Sequence, residues 1–180
     1  MATLSERYGR LSIILHWITL VLLIGVYACI ELREMYPRGS DLREALKMWH
    51  FMLGLTVFFL VWVRITARWF GSTPPIVPAA PKWQRAIAII VELALYGLMI
   101  LLPILGWLTL SAEGMPIPFF GAQLPALVGE SKQLAERTEE LHVTLATIGY
   151  FLIGLHAAAA LFHHYVQRDN TLRRMSLSQR

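Results

Sequence analysis

The sequence has almost no cysteine chemistry. Its single cysteine, Cys29, has no partner for an internal disulfide, and neither CxxC nor CxxCH occurs. A structural zinc site and a covalently attached c-type haem are thereby excluded, and Cys29 reads as a small buried hydrophobe. Charge is scarce too. Charged residues make up 16 % of the chain, against roughly a quarter in a soluble domain, while 56 % of residues are hydrophobic. The net charge is +4, but no cluster of basic and aromatic residues occurs, so nucleic acid is not an expected partner. A cleavable signal peptide is also not expected. The first apolar run starts near Leu11, lasts too long, and has no small-residue cleavage pattern behind it.

What the sequence has is long apolar runs. A helix crossing the bilayer core needs about 20 mainly apolar residues. Four stretches qualify, at about 11–30, 47–70, 86–110 and 141–166. The fold class expected is all-α: an integral membrane four-helix bundle forming one domain over 1–180, with lipid as its surroundings. The prolines of STPPIVPAAPKW separate spans two and three. Charged connections separate the other spans. An even number of spans places both termini on one side. Ten Lys and Arg residues flank that side and six flank the other. The excess predicts cytoplasmic termini.

All six histidines, His16, His50, His142, His156, His163 and His164, fall in or at the ends of these runs. Ionisable groups inside a span are costly and mark candidate functional sites. In span four, His142, Gly149, His156 and His163 recur every seven residues, along one slowly drifting stripe. His142 and His156 are about 21 Å apart along the helix, too far to share one metal. Depth in the membrane pairs His16 with His156 and His50 with His142, and predicts two stacked sites. Gly149 and Gly54 leave room for bulky groups beside the stripe and beside His50. Two imidazoles from different helices in apolar surroundings suit a bis-histidine haem better than tetrahedral zinc. Without CxxCH the haem is of b type. With both axial positions filled, the chemistry is electron transfer rather than oxygen binding. The alternative is four structural histidines satisfied by interhelical hydrogen bonds.

The stretches RLSIILHW, PRGSD, TPPIVP, GYFLIGLHAAAALFHHY and DNTLRRM run from Arg10 to Met175. In them the chain resembles the bacterial cytochrome b561 family, most closely its short members that oxidise superoxide. The resemblance implies a four-helix bundle in the bacterial inner membrane, with two haem b groups held by His16, His50, His142 and His156. It implies that superoxide is oxidised at the periplasmic side, and that ubiquinone takes the electrons with protons from the cytoplasm. One departure matters. Some relatives carry histidines early in span three, where this chain has Ile89 and Glu92, so a role built on such a histidine does not transfer. A different reading is a di-haem anchor carrying electrons between a partner dehydrogenase or hydrogenase and the quinone pool. The short loops offer no evident docking domain for such a partner.

Secondary candidates follow from position. His163 lies one heptad beyond His156, at interface depth. It is the candidate quinone and proton residue, because histidine titrates near neutrality; a propionate partner or a solvated side chain is the plainer alternative. His164 points elsewhere on the helix. Glu92 is a candidate proton relay, or else the partner of a nearby cation. Arg64 and Arg68 suit haem propionates, or snorkel to headgroups. Arg33, Arg38, Arg43 and Lys47 suit attraction of the superoxide anion, although Glu31, Glu34, Asp41 and Glu44 are interleaved with them. Pro103 and Gly106 predict a bend in span three.

Overall fold

The computed structural model describes residues 7–177. Arg180, counted above among the cytoplasmic cations, lies outside them. Four helices form: α1 Arg10–Leu32, α2 Asp41–Phe70, α3 Lys82–Ala112 and α4 Lys132–Tyr165. Each is long and apolar enough to cross a membrane. Large side chains such as Phe151, Val21 and Ile90 are exposed along them. That suits lipid, which solvates apolar side chains as readily as a protein core does, while each helix satisfies its own backbone.

The local sequence explains where the helices stop. Ser40 caps α2 by accepting from the Arg43 amide, and Asp41 and Glu44 occupy the first turn, where they complement the helix dipole. Ser131 caps α4 in the same way through the Leu134 amide. Helix α2 begins six residues before the apolar run and α4 nine residues before it. Capping and helix propensity carry both helices past the hydrocarbon into polar surroundings.

Helix α1 packs against α2, and α3 against α4; α2 also meets α3. The central core joins Val57 and Val61 of α2 to Met99 of α3, with Leu22, Leu23 and Val26 of α1 packed on it. Thr109 and Thr138 link α3 to α4 through their hydroxyls at 2.8 Å. By contrast, the backbones of α1 and α2 stay apart from α4. The gap they leave is filled by side chains.

The two ends are closed differently. At the outer end the long connection forms a hairpin, β1 Ile117–Phe119 with β2 Ala122–Leu124, paired antiparallel with Phe119 opposite Ala122. Its two turn residues, Phe120 and Gly121, both have positive φ, 46° and 87°. That is the signature of the tight turn that fits strand twist. A phenylalanine there is unusual, and its ring packs on Phe119 and Trp49. Ile117 joins Leu55 and Leu110 in a second buried cluster.

At the other end residues 166–177 fold back as a strap. The Tyr8 amide donates to the Arg174 carbonyl, and Trp17 Nε1 donates to the Met175 carbonyl at 3.0 Å. Asn170 holds the α2–α3 connection with three bonds: its amide to the Val77 carbonyl, its Oδ1 from the Val77 amide, and its Nδ2 to the Pro75 carbonyl. TPPIVP and DNTLRRM are therefore in direct contact. The described N-terminal and C-terminal segments share one end of the bundle.

Asn170→Ala removes two of these bonds, worth about 1 kcal/mol in this exposed setting. Hydrogen exchange at the Val77 amide should speed up about fivefold while the helices keep their protection. Unchanged exchange at Val77 would show that the strap does not hold this connection.

Candidate functional site

The side chains that bridge the gap in front of α4 include the histidines. His16 of α1 faces His156 of α4 with ring centres 6.2 Å apart. His50 of α2 faces His142 of α4 with ring centres 6.1 Å apart. These are the two pairings that depth in the membrane predicts. A metal–imidazole bond is about 2 Å long and the ring centre lies about 1 Å beyond it, so two imidazoles on opposite sides of one metal have centres about 6 Å apart. Both pairs have that separation. Among the described residues, no group of three or more His, Cys, Asp or Glu side chains converges as a metal site. Each pair therefore would offer two imidazoles to a metal, which suits one whose remaining ligands come from a porphyrin.

The surroundings of the outer pair fit such a group well. His50 Nδ1 donates to the Val26 carbonyl at 3.0 Å, which leaves Nε2 with its lone pair free for a metal. His142 Nδ1 is buried on the side of the Leu102 backbone, without a well-aligned hydrogen bond. Its ring packs on Gly106, where an added Cβ would lie 3.5 Å from it. A cavity opens beside the pair, lined among others by Gly54, Pro103, Gly106, Leu110 and Ile117. Gly54 faces open space, as its position beside His50 predicts. Lys47 lies over the Phe51 ring at 5.7 Å, and Phe51 lines the cavity and meets His50 edge to face. A cation therefore stands at this rim.

The inner pair carries one arrangement to be undone. Arg64 Nη2 donates to His16 Nδ1 at 3.4 Å. A guanidinium cannot accept, so metal binding through Nε2 requires Arg64 to let go and Nδ1 to take the proton. Arg64 also sits over the Tyr96 ring at 5.5 Å, a second place for its charge. Arg68 pairs with Glu92 at 3.4 Å and lies over the Tyr8 ring. Glu92 is thus placed as the partner of a cation.

Between the two levels, Gly149 admits Tyr27: a Cβ on Gly149 would lie 2.5 Å from the tyrosine oxygen. Tyr27 donates to the Ala146 carbonyl, and its ring lies 4.2 Å from Tyr150, which donates to Glu31 at 2.7 Å. The room left by the glycine is taken by a tyrosine. At the outer surface Glu34 binds both Arg33 and Arg43 at 3.0 Å, so one carboxylate is shared by two cations. Cys29 is half-buried and free. His164 Nδ1 has no hydrogen-bond partner, and its ring meets Tyr165.

His163 has a partner that the sequence did not suggest. Its Nδ1 donates to Asp169 Oδ2 at 2.6 Å, and Asp169 is only 1 % exposed. Asp169 Oδ1 accepts from the Thr171 amide at 2.8 Å. Burial alone would raise the Asp169 carboxyl; the bonds from His163 and Thr171 outweigh it and hold the group below its ordinary value of 3.8. A carboxyl depressed in the folded state stabilises the fold above its unfolded value, and the contribution vanishes as pH falls through the folded value. Exchange protection in the strap should therefore persist from about pH 7 to about pH 5 and fall only below the carboxylate range. Loss between about pH 7 and pH 6 would assign strap stability to another group.

Comparison with known proteins agrees with this architecture. The family model described as prokaryotic cytochrome b561 matches residues 7–176. The chain is 38 % identical to cytochrome b561 homolog 1 of Escherichia coli over 94 % of this chain and 97 % of that one. It is also 38 % identical to the Yersinia pestis protein named "Probable superoxide oxidase CybB", over 98 % and 99 %. Cytochrome b561 homolog 2 of Escherichia coli is 29 % identical over 94 % of this chain. The chain belongs to the prokaryotic cytochrome b561 family: it is a bacterial membrane protein, an oxidoreductase that carries electrons on b-type haem.

Proposed function

We propose that this chain oxidises superoxide at the periplasmic side of the inner membrane and delivers the electrons to ubiquinone. The observation that carries the electron path in this reading is the pair of opposed histidines at each of two levels of α4, both with ring centres close to 6 Å apart. His50 and His142 hold the outer haem b in this reading, and His16 and His156 hold the inner one. Each haem, when bound, supplies reversible one-electron chemistry. Two imidazoles held by each pair would suit such a group for electron transfer rather than oxygen binding.

The excess of Lys and Arg on the side of the termini supports cytoplasmic termini. That makes the His50–His142 end periplasmic. The net reaction is balanced: two superoxide anions and one ubiquinone, with two protons, give two dioxygen molecules and one ubiquinol. Lys47 favours approach of the anion to the outer cavity. At the inner end His163 binds a quinone oxygen and supplies a proton. Glu92, paired with Arg68, is a second proton relay candidate. The relative named a probable superoxide oxidase supports the choice of donor.

The test follows haem absorbance of the oxidised, purified protein while superoxide is generated, with ubiquinone then added. The reading predicts fast reduction, then reoxidation by ubiquinone. Haems that stay oxidised under superoxide yet are reduced by ubiquinol would instead make the chain an electron-carrying anchor for a partner dehydrogenase or hydrogenase.

A further inference from the structure

The bond between His163 and Asp169 joins two segments that helical periodicity keeps apart. His163 is in the last turn of α4. After Tyr165 the helix stops, and Arg168 takes a left-handed conformation, φ 56°. The reversal brings the Asp169 amide back to the His163 carbonyl at 3.1 Å and its carboxylate onto the imidazole of the same residue at 2.6 Å. The next residue, Asn170, is the one that pins the α2–α3 connection. The aspartate is therefore fixed from both sides, by its own bonds and by those of its neighbour.

An almost fully buried carboxylate at the membrane interface is expensive unless its charge is used. Here it is used by Nδ1 of His163 on one oxygen and by the Thr171 amide on the other. Because Nδ1 donates to the carboxylate, Nε2 is the nitrogen left for a ligand. A proton taken up by the ring therefore goes on Nε2, the one ring nitrogen that Asp169 does not hold. A buried aspartate holding an imidazole by its far nitrogen sets tautomer and orientation without itself being protonated.

We propose that Asp169 is a positioning residue for proton delivery to the quinone: it holds His163 so that Nε2 gives its proton to a quinone oxygen. This rests on the quinone reading of His163 given above. In each delivery the Nε2–H bond breaks and a quinone O–H bond forms. The ring then regains a proton from water at the cytoplasmic face. Ubiquinone takes up two electrons and two protons in all, the electrons coming ultimately from two superoxide anions.

The test uses the haem-loaded full chain, reduced and mixed rapidly with ubiquinone-1 in water and in deuterium oxide. H163Q, D169N and D169E are compared with the wild type. The proposal predicts that D169N keeps the haem spectrum and its reduction by superoxide. It should lose about tenfold or more in the kcat of quinone-driven reoxidation, with KM much less affected, and show a larger solvent isotope effect. D169E, which keeps the charge, should recover much of the rate. A slow H163Q beside a D169N of wild-type rate and isotope effect would overturn the role of Asp169 alone. Wild-type rates in both H163Q and D169N would overturn the quinone reading itself. Loss of haem in both D169N and D169E would make Asp169 a structural clamp and also overturn the proposal.

Discussion

Hydrocarbon gives a histidine nothing to bond to, and the rest of this structure follows from where four histidines are placed in it. His16, His50, His142 and His156 lie on helices whose lipid-facing surfaces are apolar. An imidazole at such depth is tolerated only where another group answers it. Each answers a partner across the gap where the backbones of α1 and α2 stand away from α4. The tight contacts lie elsewhere: α1 on α2, α3 on α4, and the shared core around Val57, Val61 and Met99. In the proposed reading this division is what keeps two flat cofactors between helices without pulling the bundle apart.

Helix α4 therefore organises function along its length. His142, Gly149, His156 and His163 mark successive levels from the hairpin end to the strap end. The outer level opens toward a cavity with Lys47 at its rim. The inner level is crowded by Arg64, Arg68, Glu92 and Tyr96, and is closed by the strap. That asymmetry suits a path whose two ends meet different partners: a small anion at one, a hydrophobic carrier needing protons at the other.

Much of this was legible in the sequence, because the bilayer makes few demands and makes them strictly. The four spans follow from length and hydropathy, and the pairing of His16 with His156 and His50 with His142 follows from depth alone. What was not legible depends on contacts between segments distant in sequence. The hairpin at 117–124 is short and places Phe120 where glycine would be the usual choice. Tyr27 fills the space beside Gly149 from another helix. The Asp169 bond to His163 lies six residues on, past a helix end, where neither helical nor strand periodicity applies. The sharing of Glu34 by Arg33 and Arg43 depends on a turn after α1 that composition does not encode.

The central claim is that α4 holds two separate haem sites. It is tested most directly by counting haem per purified chain and recording the low-temperature EPR of the oxidised protein, alongside H142A and H156A. The account predicts two low-spin bis-histidine haems per chain, with H142A losing one signal and H156A the other. A single haem, or two that survive either substitution, would contradict it.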